Sequence, residues 1–411
     1  MNEPTMAAPT LIESGTPAFR RTNLAMFAAG FSTFALLYSV QPLLPLFAAE
    51  FQLGAAASSL ALSVTTGTLA VAMLLASSLS DVWGRKPVMV VSLVASALLT
   101  LAAAFAPSWT ALVVLRGLLG LALSGLPAVA MAYVGEEMHP RSVGLAMGLY
   151  ISGSSLGGMG GRLITGILVD FVSWRAAMAV LGGVCLVAAI VFWRSLPRSA
   201  HFRPRPLHAG HLLARGVELF RDPGLRWLFA QGFLLMGSFV TLYNYVGFRL
   251  LAPPFDLSQA VVASIFTLYL VGTVSSAVVG NLAGRVGRRR VLWLMILLML
   301  AGIALTLAAT LPPLVAGIGL FTFGFFGAHS IVSSWVGIRA LAGKAQASAL
   351  YLFFYYLGSS LMGSLGGVFW TSHGWPGVAA LVGALLVAAL AVSLHLARLP
   401  PIAPSGRPGP H

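Results

Sequence analysis

The chain has 411 residues, of which 58% are hydrophobic and 8% are charged. Soluble domains carry about 25% charged residues, so this composition excludes a water-soluble globular protein and favours one embedded in lipid. The net charge of +14 does not indicate nucleic acid as a partner, because the basic residues lie in short turns between apolar segments.

Apolar runs long enough to cross a hydrocarbon core of about 30 Å as helices recur along the chain. The twelve predicted membrane helices cover residues 24–48, 57–79, 87–106, 109–133, 143–169, 174–193, 226–248, 258–282, 291–310, 313–336, 347–370 and 376–397. These runs lack the strict alternation of apolar and polar residues that barrel strands show. The predicted fold class is therefore an all-α membrane protein.

A polar stretch rich in proline and arginine divides the predicted helices into two sets of six. The predicted organisation is a cytoplasmic N-terminal tail (1–22), a six-helix bundle (23–193), a basic cytoplasmic linker (194–225), a second six-helix bundle (226–397) and a cytoplasmic tail (398–411). Lysine and arginine concentrate on the cytoplasmic side of membrane proteins. With both termini in the cytoplasm, 20 of the 24 basic residues fall on that side and two fall outside.

The second bundle repeats the first in the turn between its second and third helices. Residues 81–90 read DVWGRKPVMV and residues 284–293 read GRVGRRRVLW. Gly84 and Arg85 correspond to Gly287 and Arg288 at an offset of 203 residues (287 minus 84). Duplicated sets of membrane helices joined by matching basic turns are typical of secondary transporters.

The first copy of this turn contains residues suited to a tight cytoplasmic loop. Gly84 gives the backbone freedom that such a turn needs, and Arg85 and Lys86 suit lipid headgroups or helix C-termini. Asp81 is placed to pair with a basic group when the inner face is closed. These residues resemble the signature loop of the major facilitator superfamily, with Val82 in place of the first arginine of the family pattern.

Other segments resemble the same superfamily and extend the similarity over residues 20–398. Glu137 and Arg141 match the family's turn between the fourth and fifth helices, and we expect Glu137 to join an inner charge network with Arg85 or its neighbours. The resemblance implies two pseudo-symmetric six-helix bundles around a cavity that opens to one side at a time. It also implies that Asp81, Arg85, Lys86, Glu137 and Arg141 form an inner gate that holds the outward-open state.

The predicted fifth helix is rich in glycine. Gly148, Gly157 and Gly161 fit the spacing of a motif that superfamily exporters carry in this helix, although Arg162 replaces the proline of that motif. The resemblance therefore implies export. The alternative interpretation is ordinary close packing, because glycines four residues apart let two helix backbones approach.

Charged groups inside the hydrocarbon are costly and mark candidate functional sites. Arg116 and Arg162 lie within predicted helices. Either residue is expected to face the cavity and meet an anionic or hydroxyl-rich substrate, or to form a fixed structural ion pair, with Asp170 as one partner. Polar and aromatic residues that either line the pathway or belong to an interfacial belt are Gln41, Tyr243, Asn244 and Tyr355.

No acidic residue lies in the middle of a predicted helix, which limits the groups that can carry a proton. The candidates are His329, whose ordinary pKa is about 6.5, and the interfacial Asp81, although a lone histidine in an apolar helix is more often simply packed. The sequence lacks a GxxxxGK[ST] loop, a nucleophile–base pair and a metal-ligand cluster. We therefore expect no cofactor, no metal site and no enzymatic activity.

The resemblance implies a monomeric secondary transporter surrounded by lipid in the bacterial inner membrane. The predicted activity is proton-coupled efflux, by antiport, of small molecules such as sugars or drug-like compounds. The alternative is a proton-coupled symporter that imports a small polar or anionic metabolite.

Overall fold

The computed structural model describes residues 11–204, 216–341 and 343–399. The predicted tails 1–22 and 398–411 and the linker 194–225 therefore lie partly outside the described residues. Within the described ranges the regular structure is helical, apart from one isolated bridge between Ile12 and Met138.

The first half crosses the bundle six times with eight helices, because the first and fourth crossings are each broken in two. Pro42 and Pro127 lie at the breaks, where proline cannot donate to the preceding turn. The helices are α1 (Pro17–Tyr38), α2 (Leu44–Glu50), α3 (Ala55–Trp83), α4 (Arg85–Ala104), α5 (Trp109–Leu123), α6 (Pro127–Glu137), α7 (Pro140–Leu168) and α8 (Trp174–Ser195).

The second half also makes six crossings. Its helices are α9 (Pro223–Leu250), α10 (Gln259–Ser264), α11 (Tyr269–Val286), α12 (Arg288–Leu305), α13 (Leu311–Arg339) and the run Lys344–Arg398. A 3-10 turn, Ile265–Leu268, joins α10 to α11. The long run breaks at Gly374, whose φ of +59° is not helical, and gives α14 (344–373) and α15 (375–398). The predicted twelve-helix fold is confirmed.

The two basic turns have the same geometry and are tighter than the sequence predicts. The predicted second helix ends at residue 79, whereas α3 continues to Trp83, so that Asp81 lies in its last turn. A single glycine then separates the helices in each half: φ is +94° at Gly84 and +103° at Gly287, where other residues are strained. We call the end of the bundle that holds these glycines and the start of α1 the basic end, and the opposite end the far end.

Glycines let α7 pack against α1 at backbone distance. A Cβ on Gly157 would lie 2.1 Å from the carbonyl oxygen of Phe31, and one on Gly161 would lie 2.5 Å from the Cα of Ala35. Gly148, in contrast, has no such neighbour within 4 Å. Two of the three motif glycines therefore serve close helix packing, as the alternative interpretation expects.

The second half repeats this packing between its own first and fifth crossings. A Cβ on Gly153 of α7 would lie 2.4 Å from the carbonyl oxygen of Phe27, and one on Gly358 of α14 would lie 2.2 Å from that of Phe233. The sequence duplication therefore extends to the backbone contacts that hold each bundle together.

Contacts between the two halves are concentrated toward the far end. A Cβ on Gly166 of α7 would lie 2.5 Å from the Cβ of Ala263 on α10, so α7 and α10 touch there. Nearer the middle, the hydroxyl of Ser360 on α14 donates to the carbonyl of Ser63 on α3 at 2.7 Å. The interface between the halves is thus closed on its far side.

Candidate functional site

The break in the first crossing leaves backbone carbonyls of α1 without helical partners. The last four carbonyls of any helix lack them, and Pro42 has no N–H to offer. Arg116 of α5 supplies the missing donors: its guanidinium donates to the carbonyls of Leu36 at 3.0 Å and Leu37 at 2.7 Å. Its Nε donates to the carbonyl of Ala61 at 2.7 Å. In this geometry Arg116 bonds to backbone carbonyls and not to a carboxylate, as the ion-pair alternative would require.

The 3-10 turn Gln41–Leu43 after the break carries Gln41 into the space between the halves. There its side-chain oxygen accepts a hydrogen bond from Nε of Arg162 at 2.6 Å. Arg162 lies on α7, is only 1% exposed, and donates from Nη1 to the carbonyl of Gly158 at 2.5 Å. Both polar partners of this buried cation are neutral oxygens.

Three aromatic rings surround the Arg162 guanidinium. Its Cζ lies 4.0 Å from the ring centroid of Tyr38, 4.7 Å from that of Tyr269 and 5.2 Å from that of Phe266. Tyr38 belongs to the first half and the other two rings to the second. Aromatic faces attract a cation, and this attraction partly offsets the cost of removing the guanidinium from water.

Arg162 has no anionic partner among residues 11–204, 216–341 and 343–399, whose ion pairs all involve other basic residues. Asp170 was one candidate partner in the ion-pair alternative, but its carboxylate accepts a hydrogen bond from the backbone N–H of Ala260 at 2.9 Å. The alternative in which Arg162 pairs with Asp170 is therefore not formed in this structure. A buried charge without a counter-ion is costly, so its presence here calls for a functional explanation.

Gln41 also joins the two halves directly. Its Nε2 donates to Oδ1 of Asn244 on α9 at 2.7 Å, and the two residues are 203 positions apart, the offset that relates the basic turns. Equivalent positions of the two halves therefore meet at this bond. Gln41 is 2% exposed and Asn244 is 1% exposed, and Nδ2 of Asn244 has no hydrogen-bond partner.

The comparisons with known proteins identify the family. A sequence profile described as Major Facilitator Superfamily matches residues 25–338. The chain belongs to this superfamily. It is 50% identical over 389 residues to the uncharacterized MFS-type transporter YybF of Bacillus subtilis (strain 168). This alignment covers 95% of this chain and 96% of YybF. It is 51% identical over 387 residues to the inner membrane transport protein YnfM of Escherichia coli (strain K12). This alignment covers 94% of this chain and 93% of YnfM.

A solved structure supports the same assignment at the level of the fold. The crystal structure of a variant of the nucleoside transporter NupG superposes with a TM-score of 0.75 at 16% identity, covering 91% of this chain and 99% of that chain. The chain is thus a multi-pass membrane transporter of the major facilitator superfamily. The predicted resemblance to the major facilitator superfamily is confirmed.

In this transporter the signature loop forms an ion-pair network, with one partner different from the prediction. Arg85 pairs with Asp81 at 2.6 Å and with Glu136 at 2.7 Å. Glu137, the predicted partner, instead accepts hydrogen bonds at 2.9 Å from the backbone and ring of His201 in the linker. Successive residues of a helix point about 100° apart, so only one of the two glutamates can face Arg85.

The remaining loop candidates lie at the basic end but outside this network. Lys86 donates to the carbonyl of Leu196, at the start of the linker. Arg141 is exposed at the start of α7. In the second half, Arg288 begins α12 directly after Gly287, in a copy of the loop that has no aspartate at the position of Asp81.

The second half has a charge pair of its own at the basic end that the sequence interpretation missed. Nε of Arg339, the last residue of α13, donates to the carboxylate of Asp222 at 2.5 Å, and this carboxylate also caps α9 through the N–H groups of Gly224 and Leu225. Burial raises the pKa of Asp222, but the hydrogen bonds from Arg339 and the backbone outweigh it and hold this pKa below its usual value.

His329 lies on α13, away from the Arg162 site. Its Nδ1 is 2.8 Å from the hydroxyl of Tyr351, and its ring lies between Phe325, 6.0 Å away, and Tyr355, 4.8 Å away, measured between ring centroids. The structure therefore places Tyr355 against His329. A half-buried imidazole with one hydrogen bond is compatible with either of the two expected roles, simple packing or proton transfer.

Tyr243 lies beside the Arg162 site. Its ring centroid is 5.2 Å from that of Tyr269 and 5.5 Å from that of Phe266, and its hydroxyl bonds to Thr322 at 2.7 Å. Phe266 and Tyr269 were not among the predicted site residues. Their spacing of three places them on one helical face, which is the sequence signal that was available.

Proposed function

We propose that this transporter is a secondary active exporter that couples the efflux of small molecules to proton entry. One observation carries the proposal: equivalent positions of the two halves, Gln41 and Asn244, meet beside a buried cation, Arg162. A site at the pseudo-symmetry axis is exposed alternately to the two sides when the halves rock against each other.

We place the basic end in the cytoplasm of a bacterial cell, with the protein in the inner membrane and both termini inside. The excess of lysine and arginine in the turns at that end supports this orientation. The contacts between the halves at the far end then correspond to a state closed to the outside. An exporter binds its substrate from the cytoplasm in that state.

The outward direction rests on the spacing that Gly148, Gly157 and Gly161 share with the exporter motif of the family, since close helix packing alone also explains Gly157 and Gly161. Their packing against α1 is compatible with such a motif, because it fixes how α7 is held within the first half.

For proton coupling we propose His329, with Asp81 as the second candidate. In the described ranges the carboxylates lie at or near helix ends or in turns, whereas His329 lies well inside α13. Its hydrogen bond to Tyr351 offers a route for proton transfer.

The experiment is substrate accumulation in energised cells, with and without the protein, across a panel of sugars and drug-like compounds. Export lowers accumulation of a substrate, and an uncoupler that collapses the proton gradient restores it. The matched variant is His329→Gln, which keeps a hydrogen-bonding group but cannot carry a proton charge. Export that is unaffected by the uncoupler would contradict proton coupling.

The alternative function is symport of a small polar or anionic metabolite into the cell. The uncompensated charge of Arg162 favours it, because an imported anion would find its counter-ion there. In the same assay a symporter raises accumulation, and the uncoupler abolishes the increase.

A further inference from the structure

The charge balance of the Arg162 site identifies the class of molecule that the site is built to hold. We propose that Arg162 binds the carboxylate, or another singly charged anionic group, of an organic anion whose body is aromatic or apolar. This inference rests on the proposed transport function, but it does not depend on the direction of transport or on the coupling ion.

The first argument is the missing counter-ion. The guanidinium of Arg162 is held by one amide oxygen, from Gln41, and one backbone carbonyl, from Gly158. Guanidinium groups bind carboxylates through two parallel N–H donors, and such charge-assisted pairs are roughly twice as strong as neutral hydrogen bonds. A cationic ligand is excluded here by charge repulsion, and a neutral ligand leaves the buried charge unbalanced.

The contrast with Arg116 strengthens this argument. Arg116 is equally buried, but each of its three nitrogens donates to a backbone carbonyl, so nothing about it calls for a ligand. Arg162 is linked instead, through Gln41, to Asn244, whose Nδ2 is buried without a partner. Because Gln41 bonds to both residues, the unpartnered amide and the unpaired cation belong to one site.

The second argument is the aromatic lining of the site, which favours a ligand whose uncharged part is aromatic or apolar. The rings at Arg162 continue along the second half: Tyr269 lies 5.6 Å from Phe239, and Phe239 stacks on Phe325 at 3.8 Å, measured between centroids. Phe325 in turn stacks on His329 at 6.0 Å. This row leads from Arg162 toward the basic end, so a bound anion has aromatic surface on the side from which an exporter is loaded.

The test uses the full-length protein purified in detergent, with thermal unfolding as the measure of binding. The probes are benzoate and cyclohexanecarboxylate, each compared with its neutral amide, and benzylamine as a cation. A ligand that binds only the folded protein raises the unfolding temperature with concentration. We expect both carboxylates to raise it, and the amides and the amine to leave it unchanged at the same concentrations.

Variants then locate the site. Arg162→Gln removes the charge, and we expect the affinity for benzoate to fall by about 10- to 100-fold, as expected for the loss of a charged hydrogen-bonding partner. Arg162→Lys keeps the charge but loses the pair of parallel N–H donors that a guanidinium offers a carboxylate. We expect its affinity for benzoate to lie between those of the wild type and Arg162→Gln. The matched control is Arg249→Gln, because Arg249 also packs on aromatic rings, those of Trp375 and Phe255, but lies at the far end of α9. It is expected to bind benzoate as the wild type does.

Equal shifts from a carboxylate and its amide, no shift from either carboxylate, or full benzoate binding in Arg162→Gln would each overturn the proposal. If Arg162→Gln does not fold, the test rests on the wild-type protein: a carboxylate must raise its unfolding temperature and the matching amide must not. The result is separable from the proposed export function. Anion binding without export in cells would support this site and contradict the export proposal. Export of neutral compounds without anion binding would support export and contradict this site.

Discussion

At the scale of single residues, the two buried arginines show how one chemical group takes two roles in one bundle. Arg116 completes the backbone hydrogen bonding of a helix that breaks at Ser39, and Arg162 holds a charge that the protein leaves unpaired. The sequence predicts both as intramembrane charges but does not separate their roles. The difference depends on which carbonyls the break in α1 leaves free, and this is decided by contacts 79 and 80 residues apart.

We predict that Arg116→Met destabilises the protein, because it removes three hydrogen bonds from a buried guanidinium to backbone carbonyls. The carbonyls of Leu36 and Ala61 keep bonds from the hydroxyls of Ser39 and Thr65. Hydrogen bonds to a charged group each contribute about 1.5–3 kcal/mol, so we expect a loss of a few kcal/mol. Thermal unfolding of the purified variant, or its yield in the folded state, measures this loss. A stable Arg116→Met that has lost transport would instead place Arg116 in the substrate site.

At this scale the sequence offers candidate residues, but it does not show which of them meet. Gln41, Arg162 and Asn244 were separate candidates in the sequence, and the structure joins them through two hydrogen bonds across 121 and 203 residues. The sequence analysis predicted Glu137 as a partner of Arg85, whereas the preceding residue, Glu136, forms the ion pair. Long-range contacts and the facing of adjacent helical residues both depend on tertiary packing, which a single sequence does not display.

At the scale of elements, hydropathy predicts the crossings because lipid offers the backbone no hydrogen-bonding partners, so every apolar run must be helical. It does not predict where a crossing breaks. The turn Gln41–Leu43 and the turn Ile265–Leu268 interrupt apolar runs that read as continuous, and they place Gln41 and Phe266 at the site. The site is therefore assembled by irregular backbone that the apolar pattern hides.

The glycines of α7 offer a matched test of close helix packing. Gly157→Ala would place a Cβ 2.1 Å from the carbonyl oxygen of Phe31, so α1 and α7 must move apart, at a cost of about 1–3 kcal/mol. Gly148→Ala has no such contact within 4 Å, and alanine favours helix, so stability is expected to hold or rise slightly. Thermal unfolding of both variants measures the difference. Equal stability of the two would contradict the packing role of Gly157.

At the scale of the whole molecule, alternating access predicts that tying the two halves together stops transport. A Cβ on Gly67 of α3 would lie 3.6 Å from that of Ser360 on α14, within the range for a disulfide. In a background without the native Cys185, we expect oxidation of the Gly67→Cys, Ser360→Cys double variant to abolish transport and a reductant to restore it. The single-cysteine variants are the controls. Full transport with the cross-link formed would argue against movement of α3 relative to α14.

The unpaired charge of Arg162 also has an electrical consequence. A bacterial cell is negative inside, and moving one elementary charge through 100 mV is worth about 2.3 kcal/mol. If the site carries a monovalent anion outward, that voltage alone sustains a concentration ratio of about 50-fold per 100 mV, since 1.36 kcal/mol is tenfold. The exporter would then behave as a current source in which each turnover carries negative charge out of the cell, before any proton contributes to the driving force.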